Sequence, residues 1–277
     1  MKLQQSKKTK VKVSRMWIIK QIKKLANKCV KFNEEFQCIK EDIYNNVTDL
    51  CKEKEDFKSH ITKSNINEKY DIICDIETLG ISSQCLVWEI AACVFERSTH
   101  KKIMSFHECV DLTNVGDIIV NGNTLVWWLK TNPTLLYEKI SGKADGVKYV
   151  ANEMELIADF SKFMLSIIGE THGIAKWDNI YFWGNGILFD NRFIKDKIEY
   201  WSRHSVCHLE YPIIYRNDRD IRTLVGLAAE KTGCKTDKEF RDKYVLANTT
   251  EHNAFDDVMN EYEAMKAAWK VLGDSNE

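Results

Sequence analysis

The segment ICDIETLG, Ile73 to Gly80, sets two carboxylates, Asp75 and Glu77, into an otherwise apolar run. Alternation along a strand points both to the same side of a sheet. Two unpaired carboxylates in contact and out of water cost on the order of several kcal/mol, or force one to take up a proton. A cation between them removes that cost. Two distant segments supply partners of the same kind. GNGILFDNRFI puts Asp190 after a Gly-rich turn at the start of a helix, and EHNAFDDVMNEYEAM puts His252 five residues before Asp257 at the mouth of the last helix. A strand end and two helix starts can converge on one rim of a sheet. Four carboxylates meeting there form an oxygen-rich site suited to hard divalent cations, Mg²⁺ or Mn²⁺, rather than zinc. Two such ions about 4 Å apart can clamp the attacking and leaving oxygens of an in-line phosphoryl displacement.

The elements that must position these groups follow from the apolar pattern. Strand-like runs occupy 71–76, 86–95 and about 103–110 and read as an antiparallel meander. Helical patterning covers 123–140 and 151–169. A buried strand, IYFWG (Ile180 to Gly184), precedes a helix from about Phe189 to Arg203, and helices over 221–233 and 254–271 close the chain. Strands first, then helices alternating with further strands, predict a mixed α/β sheet with helices packed on it.

Ahead of this body, from about residue 67 onward, lies a segment of different character. Residues 1–31 carry eleven Lys or Arg and no acid. Apolar residues at Ile18, Ile22, Leu25, Cys29, Phe32, Phe36, Ile39 and Ile43 alternate steps of four and three, a heptad seam that weakens after Asn46. Residues 1–66 therefore read as a basic tail plus an amphipathic appendage. It is either a coiled coil that joins copies of the chain through residues 18–57, or one helix lying on its own domain. The lysines suit an arm that neutralises phosphates without reading sequence. From residue 67 the balance turns to 24 basic against 33 acidic residues, so net charge alone would not draw a polyanion to the body. The nine cysteines are odd in number with no C-x-x-C pair, which argues against a disulfide framework or zinc ribbon and for reduced thiols in a cytoplasmic setting. No run approaches the length of a membrane span, and no segment resembles a secretory signal.

In order along the chain, DIETLG, NTLVWWLKTNP, WGNGILFDNRF, NDRDIRT and HNAFDD resemble the DEDDh class of 3′-5′ exonucleases, the DnaQ-like group with a ribonuclease-H-like fold. The nearest resemblance is to the phage exonuclease A type and related bacterial exoribonucleases, over residues 70–272. The resemblance implies a metal-dependent exonuclease acting on the 3′ end of a nucleic acid, DNA ahead of RNA, and releasing nucleoside 5′-monophosphates. It implies that Asp75, Glu77 and Asp257 hold the ion nearer the attacking water, and that Asp75 and Asp190 hold the one beside the leaving oxygen. His252 would be the general base, and Thr78 and Leu79 would meet the terminal nucleotide, Leu79 as a wedge against its base. One departure stands out: many class members carry Asn four residues before the central Asp, where this chain has Gly186, with Asn185 one residue earlier.

Each position has a plainer reading. Asp75 and Glu77 could be salt-bridged at a sheet edge, Asp190 could be a helix N-cap, and His252 could be a surface histidine. Asp256 competes with Asp257, although the spacing from His252 selects the latter. Trp127 and Trp128 could stack on unpaired bases, but adjacent helix residues face different ways, so at least one belongs to the core. Asp220 and Arg222 could shape the site from a loop or form an internal ion pair.

Overall fold

The structure is a computed structural model, and it describes residues 68–144, 146–206, 208–245 and 253–273. The basic tail, the heptad seam of residues 18–57, the boundary near residue 66 and His252 lie outside the described residues.

Six strands form one mixed sheet: β1 (Tyr70–Thr78), β2 (Val87–Glu96), β3 (Lys102–Val110), β4 (Lys148–Val150), β5 (Ile180–Gly184) and β6 (Asp218–Asp220). Their spatial order is β4-β3-β2-β1-β5-β6. The first three make the expected antiparallel meander, whereas β5 runs parallel to β1, and β6 parallel to β5. An antiparallel trio continued beyond β1 by parallel strands is the ribonuclease-H-like arrangement. β1 is paired with β2 along its length and with β5 over Tyr70–Ile73, so Asp75 and Glu77 lie just past the end of the β5 ladder, where the strand opens on that side.

Among the described residues, seven helices flank the sheet: α1 (Gly122–Thr131), α2 (Pro133–Ile140), α3 (Glu153–Glu170), α4 (Asp190–His204), α5 (Ile221–Thr232), α6 (Asp237–Tyr244) and α7 (Ala254–Leu272). The helical pattern over 123–140 is realised as two helices. Pro133 is the cause: it is disfavoured inside a helix and suited to its first turn. Asn132, pushed out of helical geometry at φ −148° and ψ 71°, caps α2 by accepting from the Leu135 N–H.

Alternation on β1 divides the core between two faces. Ile72, Cys74 and Ile76 join a cluster with Leu156, Phe160 and Met164 of α3 and with Phe193 and Ile194 of α4. Ile73 points the other way, with Ala91, Cys93 and Trp183, into a cluster closed by Val225 of α5 and Val258, Met265 and Trp269 of α7. Asp75 and Glu77 continue the Ile73 side, so they emerge beneath the start of α7. No described helix is long and apolar enough to cross a membrane.

Candidate active site

Three acids alternate with Ile73 on one side of β1, and the fold treats them differently. Asp71 is fully buried and neutralised: it forms an ion pair with Arg97, whose Nε lies 2.7 Å from Oδ2, and it accepts from Trp183 Nε1 at 2.7 Å. Asp75 and Glu77 are half-buried and open into a cleft of about 860 Å³. That cleft is also lined by Trp127, by the turn Asn185–Asp190, and by Asp220, Arg222, Asp257 and Glu261. Asp75, Glu77 and Asp257 each offer an oxygen within 4.8 Å of the others.

Local structure explains why Asp190 reaches the same cleft. At Gly184, the end of β5, an added Cβ would lie 2.4 Å from Asn191 Oδ1 and 2.9 Å from Asp190 Cβ. Only glycine lets the first turn of α4 fold back this closely. Gly186, at φ +133°, then reverses the chain in a conformation other residues rarely adopt. Its carbonyl accepts from the Phe189 N–H at 2.6 Å and the Asp190 N–H at 3.2 Å. Asp220 holds the turn from outside, accepting from the Ile187 N–H at 3.3 Å while its other oxygen caps α5 through the Thr223 N–H at 2.9 Å. Arg222 Nε donates to Asn185 Oδ1 at 3.2 Å. Asp220 and Arg222 thus shape the Gly-rich turn. Asp190 is the first helical residue, next to an N-cap at Phe189 that makes no side-chain bond.

Asp257 arrives by packing. Ala254, Val258, Glu261, Met265 and Ala268 are buried along one side of α7, at the three- and four-residue steps of a helix face. Asn253 caps this helix by accepting from the Phe255 N–H at 3.3 Å. Asp257, rather than Asp256, joins the carboxylate group with Asp75 and Glu77.

The electrostatics are those of crowded carboxylates that oppose one another's charge. Burial, then Glu77, Asp190, Asp257 and Glu89, hold the Asp75 carboxyl well above the ordinary carboxylate range. Glu77 is raised by burial first, then by Glu89 and Asp257, against a lowering influence from Lys139. Burial and then Glu261 push Asp190 up to about 7, despite backbone N–H groups and Arg222 that favour its charged form. Mutual repulsion on this scale is what a bound divalent ion relieves.

The remaining predicted residues separate. Trp127 is 44% exposed and lines the cleft, whereas Trp128 is 1% exposed and packs edge-on against Trp88. The indole of Trp128 donates to the Thr78 carbonyl at 3.2 Å and so pins the end of β1. Thr78 is buried, its hydroxyl donating to the Gly80 carbonyl at 2.6 Å. Leu79, expected as a wedge, is buried with Leu86, Trp88 and Trp128; its side chain is committed to that cluster. The exposed leucine at the cleft is Leu188, at 80%. Two acids escaped the sequence reading. Glu261 lies one helical turn beyond Asp257, a spacing that signals a shared face, and it pairs with Arg241 at 2.8 Å. Glu89 is a lone charge in the apolar run LVWEIAACVF, the same anomaly that drew attention to β1.

Fold and site together define a class: a ribonuclease-H-like domain with an acid-lined cleft on its central strand. The chain belongs to the Rv2179c-like 3′-5′ exoribonuclease domain family, whose model matches residues 70–269. No curated protein matches it. Among solved structures, it is similar to cell-death related nuclease 4 (14% identity, TM-score 0.48), the match covering 74% of this chain and 64% of that one. The nuclease domain of 3′hExo, a DEDDh family member bound to rAMP, gives 14% identity and a TM-score of 0.44 over 76% and 94% of the two chains. The E. coli exonuclease I–ssDNA complex in its zinc-bound form gives 14% and 0.49 over 75% and 42%.

Proposed function

We propose that residues 67–277 form a divalent-metal-dependent exonuclease that hydrolyses phosphodiester bonds from the 3′ end of a nucleic acid. The observation that carries this reading is the meeting of Asp75, Glu77 and Asp257 within 4.8 Å at a cleft that Asp190 also lines. An all-oxygen donor set of like-charged, half-buried carboxylates fits hard divalent ions such as Mg²⁺ or Mn²⁺. When bound, such ions supply an activated water and neutralise charge at the phosphoryl and leaving oxygens.

The chain's residues would divide the work. Asp75, Glu77 and Asp257 hold the water side, and Asp75 with Asp190 the side of the departing 3′-oxygen. His252, five residues before Asp257, takes the proton from the attacking water. Trp127 stacks on an unpaired base, with Leu188 as the apolar rim opposite. Arg222 meets a phosphate among the surrounding acids. RNA is favoured by the family's description, and DNA by the likeness of the motifs to the phage exonuclease A type. The basic segment 1–66 serves as a separate arm that holds the strand or joins copies of the chain. The described cysteines, Cys74, Cys85, Cys93, Cys109 and Cys234, are free and buried, in keeping with a reducing cytoplasm.

Digestion of matched 3′-labelled RNA and DNA oligonucleotides with Mg²⁺, Mn²⁺ or EDTA tests the reading. Labelled mononucleotide should appear from the first cycle with metal and vanish in EDTA. Cleavage that continues in EDTA, or begins internally, would refute it.

A further inference from the structure

Glu89 stands directly opposite Glu77 across the β1–β2 ladder. Its side chain is fully buried, and one oxygen, Oε1, accepts from both Lys139 Nζ and His107 Nε2, the latter at 2.7 Å. The other oxygen, Oε2, is buried with no hydrogen-bond partner. Lys139 comes from the last turn of α2 and its side chain is 1% exposed. A lysine and a glutamate buried this completely add little to stability, because desolvation consumes most of their attraction; an apolar pair of the same volume would serve the core as well. Their place beside the acid cluster is what distinguishes them.

Both charges act on the cluster. Glu89 is the foremost charge raising Glu77 and also bears on Asp75, while Lys139 opposes it at Glu77. His107 stacks on Phe255, with ring centroids 5.4 Å apart, two residues before Asp257. The unit therefore touches the supports of both β1 and α7. Glu89, His107 and Cys109 are also close enough to share a metal ion of their own. The Lys139 ammonium argues against that, since it already sits on the Glu89 oxygen that faces the imidazole. Burial also pushes the Cys109 thiol up and keeps its proton on.

We infer that Glu89 and Lys139 are positioning residues, a fixed charge pair behind the cleft that sets its affinity for divalent cations, Glu89 strengthening binding and Lys139 limiting it. This rests on the proposed metal site, and it predicts shifts of opposite sign from two neighbouring buried residues. Manganese binding to the full chain is measured by titration calorimetry, with thermal melts to verify folding. Glu89→Gln should weaken Mn²⁺ binding at least about tenfold and Lys139→Met should tighten it at least about tenfold, a lower bound set by one charge acting on a divalent ion across roughly one strand spacing under water-like screening. Glu89→Gln with Lys139→Met should return to within about threefold of the parent. Either single variant strands its partner's buried charge; if one of them does not fold, the shift in the other and its reversal in the double variant carry the test.

Two single variants that both weaken binding, or shift nothing, would overturn the inference. So would a double variant as weak as Glu89→Gln, or a second bound ion lost in His107→Ala. A parent protein that binds no Mn²⁺, or Asp75→Asn that binds it unchanged, would instead overturn the metal site itself.

Discussion

Replacing Asp190 with asparagine should stabilise the metal-free protein, and the effect should depend on pH. In the fold this carboxyl is 4% exposed and pushed from 3.8 up to about 7. Between pH 4 and 7 the folded chain therefore binds more protons at this position than the unfolded chain, so stability falls as pH rises across that window. Carrying the shift to full ionisation costs the fold about 4 kcal/mol, an upper figure because the neighbouring acids share the proton. Asp190→Asn keeps the shape and removes the charge. In EDTA at pH 8 the variant should exceed the parent by about 2–4 kcal/mol, or roughly 5–12 °C in midpoint for a body of this size. Near pH 4 the two should melt together. Added Mn²⁺ should raise the parent more than the variant, which keeps Asp75, Glu77 and Asp257 but loses the ligand of the second ion, because binding to the folded state stabilises by mass action. Fluorescence-monitored melts over pH 4–8, with EDTA and with Mn²⁺, read every arm. A variant less stable than the parent at pH 8 in EDTA, or a gap that ignores pH, would refute the reasoning.

Other positions give sharper contrasts. Arg97→Met should destabilise the fold by about 3–5 kcal/mol in denaturant melts, by stranding the buried Asp71 charge, while leaving Mn²⁺ affinity unchanged; loss of metal binding would mean that Asp71 belongs to the cleft. Trp127→Ala should raise KM for a single-stranded 3′ end about tenfold or more with kcat little affected, the worth of one base stacked on an aromatic ring; an unchanged KM removes the tryptophan from the substrate path. Gly184→Ala should lower kcat at least about a hundredfold by driving Asp190 off its position, and normal turnover would show that the close approach at this glycine does not matter. Removal of residues 1–66 should leave cleavage of a short oligonucleotide intact and flatten the salt dependence of binding; an inactive, folded truncation would make the segment part of the catalytic unit.

Much of the fold was legible because its signals are periodic. The strands β1, β2, β3 and β5 lie within one to two residues of their apolar runs, and the helix starting at Ala254 is announced by its three- and four-residue spacing. What escaped is short or polar. Residues 148–150 and 218–220 form strands only because a neighbour supplies the ladder, and nothing in DRD favours a strand by itself. The octapeptide helix Asp237–Tyr244 has Phe240 as its sole buried residue and so shows no apolar stripe. The acids were legible for a different reason: a carboxylate inside an apolar strand or at a glycine turn is too costly to be incidental. That argument reached Asp75, Glu77 and Asp190, yet stopped short of Glu89, where it applied equally. Whether a side chain faces the cleft was not legible. Leu79 and Trp128 sit at motif positions, but tertiary packing turned both inward, leaving Trp127 and Leu188 at the opening.

The most direct measurement is anomalous diffraction from crystals soaked in Mn²⁺. Bound manganese should give density among the carboxylates of Asp75, Glu77, Asp190 and Asp257, and that density should be absent from Asp75→Asn. Density at those four side chains missing from the parent at saturating Mn²⁺, or located instead over Glu89 and His107, would contradict the central claim.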